Sequence, residues 1–98
     1  MDYQIIVQPE AEKDLRDTFS WYESHKPGLG YDFKLCIEEV LSRLTRTPNI
    51  YPTVYEQVKR AFIKRFPFGI FYVVEEKRVV ILAVLHARRD PEYWKKRK

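Results

Sequence analysis

The stretch F-P-F-G-I-F-Y-V-V-E-E-K-R-V-V-I-L-A-V-L-H-A-R-R-D-P, residues 66–91, decides how this chain folds. Residues 69–75 and 78–86 are dense in Val, Ile, Phe and Tyr, the side chains that suit a pleated, well-covered surface. Only Glu76-Lys77 separates them, which predicts a β-hairpin. Both segments are apolar at nearly every position, a pattern that ordinarily means burial on both faces. Just upstream, residues 58–66 form a third strand candidate interrupted by Lys59, Arg60, Lys64 and Arg65. Strand alternation sets Arg60 and Lys64 on one face and Lys59 and Arg65 on the other. Neither face is cleanly apolar, so an edge position is expected, its charges either guarding the edge or binding phosphate.

Working toward the amino terminus, residues 48–57 hold Pro48 and Pro52 without a clear period and read as a loop. Before them, Phe33, Ile37, Val40, Leu41 and Leu44 make the stripe of an amphipathic helix that Pro48 ends. An earlier stripe, Ala11, Leu15, Phe19 and Tyr22, starts near Pro9 and stops at Lys26-Pro27-Gly28. The short connection makes the two helices an antiparallel hairpin. Tyr3, Ile5 and Val7 alternate with Gln4 and Gln8 as a short first strand, despite Ile6 on the polar side. The predicted fold is therefore α+β: a strand, a two-helix antiparallel hairpin, then a three-stranded antiparallel meander, in one mainly antiparallel sheet. Two helices cover one face of a four-stranded sheet. The other face must either collect aromatic side chains from the loop or be covered by a partner.

Ninety-eight residues make one domain, expected over 1–94, with 95–98 a basic tail that frays. The longest apolar runs are too short to cross a membrane, no secretion leader is visible, and a cytoplasmic protein is expected. The single cysteine, Cys36, rules out an internal disulfide, and neither His25 nor Cys36 has partners at metal-ligand spacing. Three glycines and no phosphate-binding loop argue against a cofactor. Charge is uneven: residues 1–50 carry a net −3, residues 51–98 a net +7. The second half therefore attracts nucleic acid or an acidic protein.

One local cluster has chemical promise, the segment from His86 to Trp94 that closes the last strand. RNA cleavage needs a base for the 2′-hydroxyl, an acid for the leaving oxygen and cations for the added phosphate charge. His86, Tyr93 and Arg88 or Arg89 can fill those roles. Equally, His86 can simply end a buried strand while Arg88 and Arg89 pair with Asp90 and Glu92. Arg60, Lys64, Arg65 and Arg88 are candidates for binding a phosphate or a charged target.

The order of elements, together with A-E-K-D-L in the first helix, Leu44 to Pro48 at the exit of the second, K-R-F-P-F-G-I-F-Y and V-V-I-L-A-V-L-H-A-R-R-D-P, resembles the toxins of the RelE/ParE superfamily. These are the toxins of type II toxin–antitoxin modules, often called plasmid stabilisation proteins. The resemblance implies a cognate antitoxin that wraps the toxin with an acidic, partly disordered segment. It also implies one of two mechanisms. RelE-like members cut messenger RNA on the ribosome with basic residues and often a C-terminal tyrosine; ParE-like members poison DNA gyrase without catalytic residues. Arg89 and Tyr93 fall where the nuclease branch places an arginine and its tyrosine, so His86, Arg89 and Tyr93 are the expected catalytic set if that branch applies. A further nuclease arginine, however, corresponds to Gly69, and the long helix hairpin is closer to the ParE branch. The ParE-like reading, inhibition of DNA gyrase, is therefore the expectation, with ribosome-dependent cleavage as the alternative.

Overall fold

The structure, a computed structural model, describes residues 2–97. The chain runs β1 (Gln4–Val7), α1 (Pro9–His25), α2 (Leu29–Leu44), a 3-10 turn (Pro48–Ile50), β2 (Thr53–Tyr55), β3 (Val58–Phe62), β4 (Phe68–Glu75), β5 (Arg78–His86) and α3 (Glu92–Lys95). The five strands form one sheet in the order β1-β5-β4-β3-β2. Only β1 runs parallel to its neighbour, with Gln4 opposite Arg78 and Val7 opposite Ile81; the other pairings are antiparallel. The expected α+β architecture is present, with three corrections. Residues 48–57 are not a plain loop, because β2 lies within them and the meander has four strands. β3 is not the edge, because β2 flanks it. The strand also ends at Phe62, since Arg65 takes a positive φ of 69° in the turn that sends the chain back into β4. Lys64 and Arg65 therefore lie in a turn and do not follow strand alternation.

The hairpin turns at Gly28, whose φ of 91° suits a residue without a side chain. Glu23 of α1 then accepts hydrogen bonds from the backbone N–H groups of Gly28 and Gly30, 2.9 Å each, and so caps the start of α2. The crossing is close enough that a Cβ on Gly30 would sit 2.7 Å from the Phe19 carbonyl oxygen. Gly30→Ala is expected to destabilise the protein by roughly 1–3 kcal/mol, because a backbone atom must move to make room. A urea melt checks this; an unchanged midpoint would show that the helices slide apart freely.

The two-sided apolar pattern of β4 and β5 is explained by two cores. On the helix side, Ala11, Phe33, Ile37, Val40 and Leu44 pack against Ala61, Ile70, Tyr72, Val79, Ile81 and Val84. The Tyr72 hydroxyl donates to the Pro48 carbonyl at 2.6 Å, and burial pushes its phenol far above the ordinary range. On the opposite face, Val58, Phe71, Val80, Leu82, Ala83 and Leu85 pack under Trp94. Trp94 is 5% exposed and stacks on Phe71 at 4.6 Å between ring centroids, with Tyr55 edge-on to it at 6.1 Å. Of the two covers that the sequence leaves open, the chain supplies its own, from the segment around β2 and from α3.

A bulge in β5 matters for the edge. Phe71 lies opposite Ala83 and Tyr72 opposite Ile81, so Leu82 is the extra residue. The last bond between β1 and β5 runs from the Gln8 N–H to the Ile81 carbonyl, and β5 continues beyond it without a strand neighbour on that side. Asp14 of α1 fills in. Its Oδ2 accepts the Val84 N–H at 3.0 Å and also the guanidinium of Arg97, which in turn lies 3.5 Å from the Leu82 carbonyl. Within a tail expected to fray, Arg97 is anchored.

Candidate interaction surface

The structure distributes the seven candidate residues over three places. Lys64 and Arg65 turn toward α2, where Lys64 meets Glu39 at 3.7 Å and Arg65 meets Asp32 at 3.5 Å. Both pairs are exposed and contribute little to stability, but they direct these cations to the outside of the hairpin. Arg60 lies on the opposite face of the sheet. It occupies the same face of β3 as Val58 and Phe62 and is paired opposite Phe71. His86, Arg88, Arg89 and Tyr93 occupy the end of β5 and the segment after it.

This last group is partly gathered. His86 faces the helix side, its ring 5.4 Å from that of Phe68. Its Nδ1 accepts the backbone N–H of Arg88 at 3.0 Å, which in the neutral ring leaves the proton on Nε2. That bond occupies the Nδ1 edge of the ring and leaves the Nε2 edge facing away from it. The Arg89 N–H donates to the His86 carbonyl, and the Arg89 guanidinium sits 4.6 Å from the centre of the Tyr93 ring. Neither Arg88 nor Arg89 makes an ion pair with Asp90 or Glu92; Asp90 instead accepts the Glu92 N–H. Tyr93 is 51% exposed. His86 and Arg89 line a cleft of about 420 Å³ against the C-terminal half of α1, walled by Trp21, Tyr22 and Phe68. Burial raises the Tyr22 phenol, so that wall is a neutral hydroxyl at physiological pH.

A second concavity runs along the outside of the hairpin. It measures about 490 Å³ and is floored by Leu15, Phe19, Ile37 and Leu41, with Tyr31, Arg16 and Lys34 at its sides. Its lining is largely apolar, a surface suited to an amphipathic segment. Among the described residues, no group of three or more His, Cys, Asp or Glu side chains is placed to hold a metal ion, and no helix is long and apolar enough to cross a membrane.

Local reading of the sequence finds the His86-to-Tyr93 group because it lies within eight residues. It misses Trp94, Asp14 and Arg97, whose partners are distant in the chain. It also misses the relation between Arg60 and Gly69, which only strand register creates.

Residues 5–91 match the family model described as the ParE toxin of the type II toxin–antitoxin system parDE. The chain is 24% identical over 92 residues to the toxin ParE2 of Mycobacterium tuberculosis (strain CDC 1551 / Oshkosh), a match covering 93% of this chain and 88% of that one. Its fold is similar to a chain of the chromosomal ParDE system from P. aeruginosa, with a TM-score of 0.76, 20% identity and coverage of 86% of this chain and 95% of that chain. It is also similar to a chain of the RelBE2 toxin–antitoxin complex of Mycobacterium tuberculosis, with a TM-score of 0.62, 20% identity and coverage of 88% and 99%.

Proposed function

The chain belongs to the ParE toxins of type II toxin–antitoxin systems, a toxin neutralised by its cognate antitoxin, and we propose that it acts by contact alone, as an inhibitor of DNA gyrase in the cytoplasm. The observation that carries this reading is the dispersal of the candidate phosphate-binding cations Arg60, Lys64 and Arg65 away from His86, Arg89 and Tyr93. Phosphodiester cleavage needs a base, an acid and cations converging on one phosphate. Here Lys64 and Arg65 are engaged with carboxylates of α2, and Arg60 is on the opposite sheet face from His86. His86 already accepts a proton donor at Nδ1. By the resemblance to the superfamily, a further nuclease arginine would stand at position 69, where this chain has glycine. The endoribonuclease alternative rests on Arg89 stacking against Tyr93 beside His86, the one place where part of that catalytic set is gathered.

The antitoxin is read as an acidic, partly disordered chain whose amphipathic segment takes the apolar groove of the hairpin, whose rim carries Arg16, Lys34 and Glu38.

Short induction in bacteria lacking the antitoxin separates the mechanisms. Thymidine incorporation is expected to fall before methionine incorporation. The double variant Arg89→Ala, Tyr93→Phe should alter toxicity only as far as it weakens contact, whereas a nuclease would lose its chemistry and keep its binding. Methionine falling first would overturn the gyrase reading and make His86, Arg89 and Tyr93 an active site.

A further inference from the structure

We propose that the cleft between the C-terminal half of α1 and the end of β5 binds a small aromatic carboxylic acid. The ring of the acid lies against Trp21, Tyr22 and Phe68, and its carboxylate meets Arg89 and His86. The inference goes beyond the gyrase reading and does not depend on which macromolecule the toxin inhibits.

The site is open to solvent. Trp21 is 57% exposed, Arg89 is exposed and His86 is half-buried, and all three line the same cleft of about 420 Å³. That volume lies in the range of small-molecule sites and suits one ring with a short acid arm.

The aromatic end is rigid. One face of the Trp21 indole is stacked on His25 at 3.9 Å between ring centroids, and the His25 Nδ1 lies 2.7 Å from the Trp21 carbonyl oxygen. The Tyr22 ring stands edge-on to Trp21 at 5.1 Å and to Phe68 at 6.1 Å. An indole left half in water among fixed neighbours can be covered by a ring with little loss of side-chain freedom.

The polar end carries one uncommitted charge. The Arg89 N–H donates to the His86 carbonyl at 2.9 Å, which keeps the two residues together. The Arg89 guanidinium is steadied by the Tyr93 ring at 4.6 Å, and none of the ion pairs among the described residues uses it. With its Nδ1 edge taken by the Arg88 N–H, the neutral His86 ring carries its proton at Nε2. A guanidinium and an N–H donor beside an apolar wall call for an anionic acceptor.

The anion is a carboxylate and not a phosphate ester. Among the described residues of the lining, Arg89 is the one fixed cation, and Asp17, paired with Lys13 at 2.7 Å, shares that lining. A single negative charge is balanced by Arg89, whereas a dianion leaves a second charge facing Asp17. A nucleic-acid backbone would need a line of cations. The acid is also a free molecule and not the end of a peptide strand. Val84 and Leu85, the strand residues at the cleft, are buried, and the Val84 N–H is already given to Asp14 at 3.0 Å. β5 therefore offers a peptide main chain no accessible row of hydrogen bonds here.

The test uses the full chain and reads the two indole N–H cross-peaks in a proton–nitrogen NMR spectrum, assigned by the loss of one in Trp21→Phe. Phenylacetate is expected to move the Trp21 signal and to leave that of Trp94, which lies in the core on the other sheet face. It should bind at least ~10-fold more tightly than phenylacetamide, which has the ring without the charge. In Arg89→Gln the acid should fall to the affinity of the amide, with the Trp94 signal in place as evidence of an intact fold. Equal binding of acid and amide by the parent, or a Trp21 signal unmoved by either, would overturn the proposal, and neither comparison needs the variant. Phenyl phosphate binding as tightly as phenylacetate would make this a site for phosphate esters and overturn the carboxylate. An acetylated tripeptide ending in phenylalanine with a free carboxyl, bound ~10-fold more tightly than phenylacetate, would make the ligand a chain terminus and overturn the free acid.

Discussion

Trp94→Ala should destabilise the protein by about 3–5 kcal/mol, the range for removing a buried aromatic from a packed core. The size follows from what the indole covers. It stacks flat on Phe71, meets Tyr55 edge-on and closes the face formed by Val58, Val80, Leu82 and Leu85. The helices cannot compensate, because they occupy the other side of the sheet. For a domain whose whole stability is ~5–15 kcal/mol, the loss is a large fraction. A hydrophobic dye should bind the variant and bind the parent weakly, since the parent keeps this face covered. Tyr93→Ala, one residue away but half exposed, should stay within ~0.5 kcal/mol. A Trp94→Ala melt within 1 kcal/mol of the parent, about the error of such a comparison, with no added dye binding, would mean that α3 does not hold the second core.

The second large effect is expected at Asp14. Its side chain is 12% exposed and that of Arg97 is 19% exposed, so the pair is shielded from solvent. Removing one member of such a pair typically costs ~3–5 kcal/mol, because the other is left without its counter-charge. Asp14→Ala should fall near the lower end of that range, since Arg97 can swing partly into water. It also strips the acceptor from the Val84 N–H. Asp14→Asn keeps an oxygen for that N–H and loses the charge, so it should be the milder change. A double-mutant cycle with Arg97→Met measures the coupling in urea melts. Strict additivity of the two single changes would show that the residues do not act together.

The parts of the fold legible in the sequence are those written in local period. The stripe from Ala11 to Tyr22 and that from Phe33 to Leu44 give α1 and α2, with Gly28 between them. Glu76-Lys77 joins β4 to β5 as read, even though Glu76 must take a positive φ that a hairpin more often assigns to Asn or Gly. β2 is illegible for a physical reason. Three residues after two prolines have no periodicity to detect, and they become a strand only because β3 offers an open row of hydrogen bonds. The edge expected at Arg60 and Lys64 fails for the same reason. The apolar second face, by contrast, states its need for a cover without naming the residue that supplies it. Among the site residues, His86, Arg89 and Tyr93 could be grouped by eye, while the placing of Arg60 over Gly69 depends on which residues face each other across β3 and β4.

The parallel pairing of β1 with β5 sets a timetable for the toxin. Residues 4–7 are made well before the strand that receives them, which ends only at residue 86, and the clasp at Arg97 is made later still. At ordinary synthesis rates of about 5–20 residues per second, the opening strand waits several seconds for its neighbour. A nascent chain that stops short of residue 86 lacks the complete sheet, and one that stops short of Trp94 lacks its second cover. The complete fold thus exists only once the residues up to Arg97 have been made, long after β1.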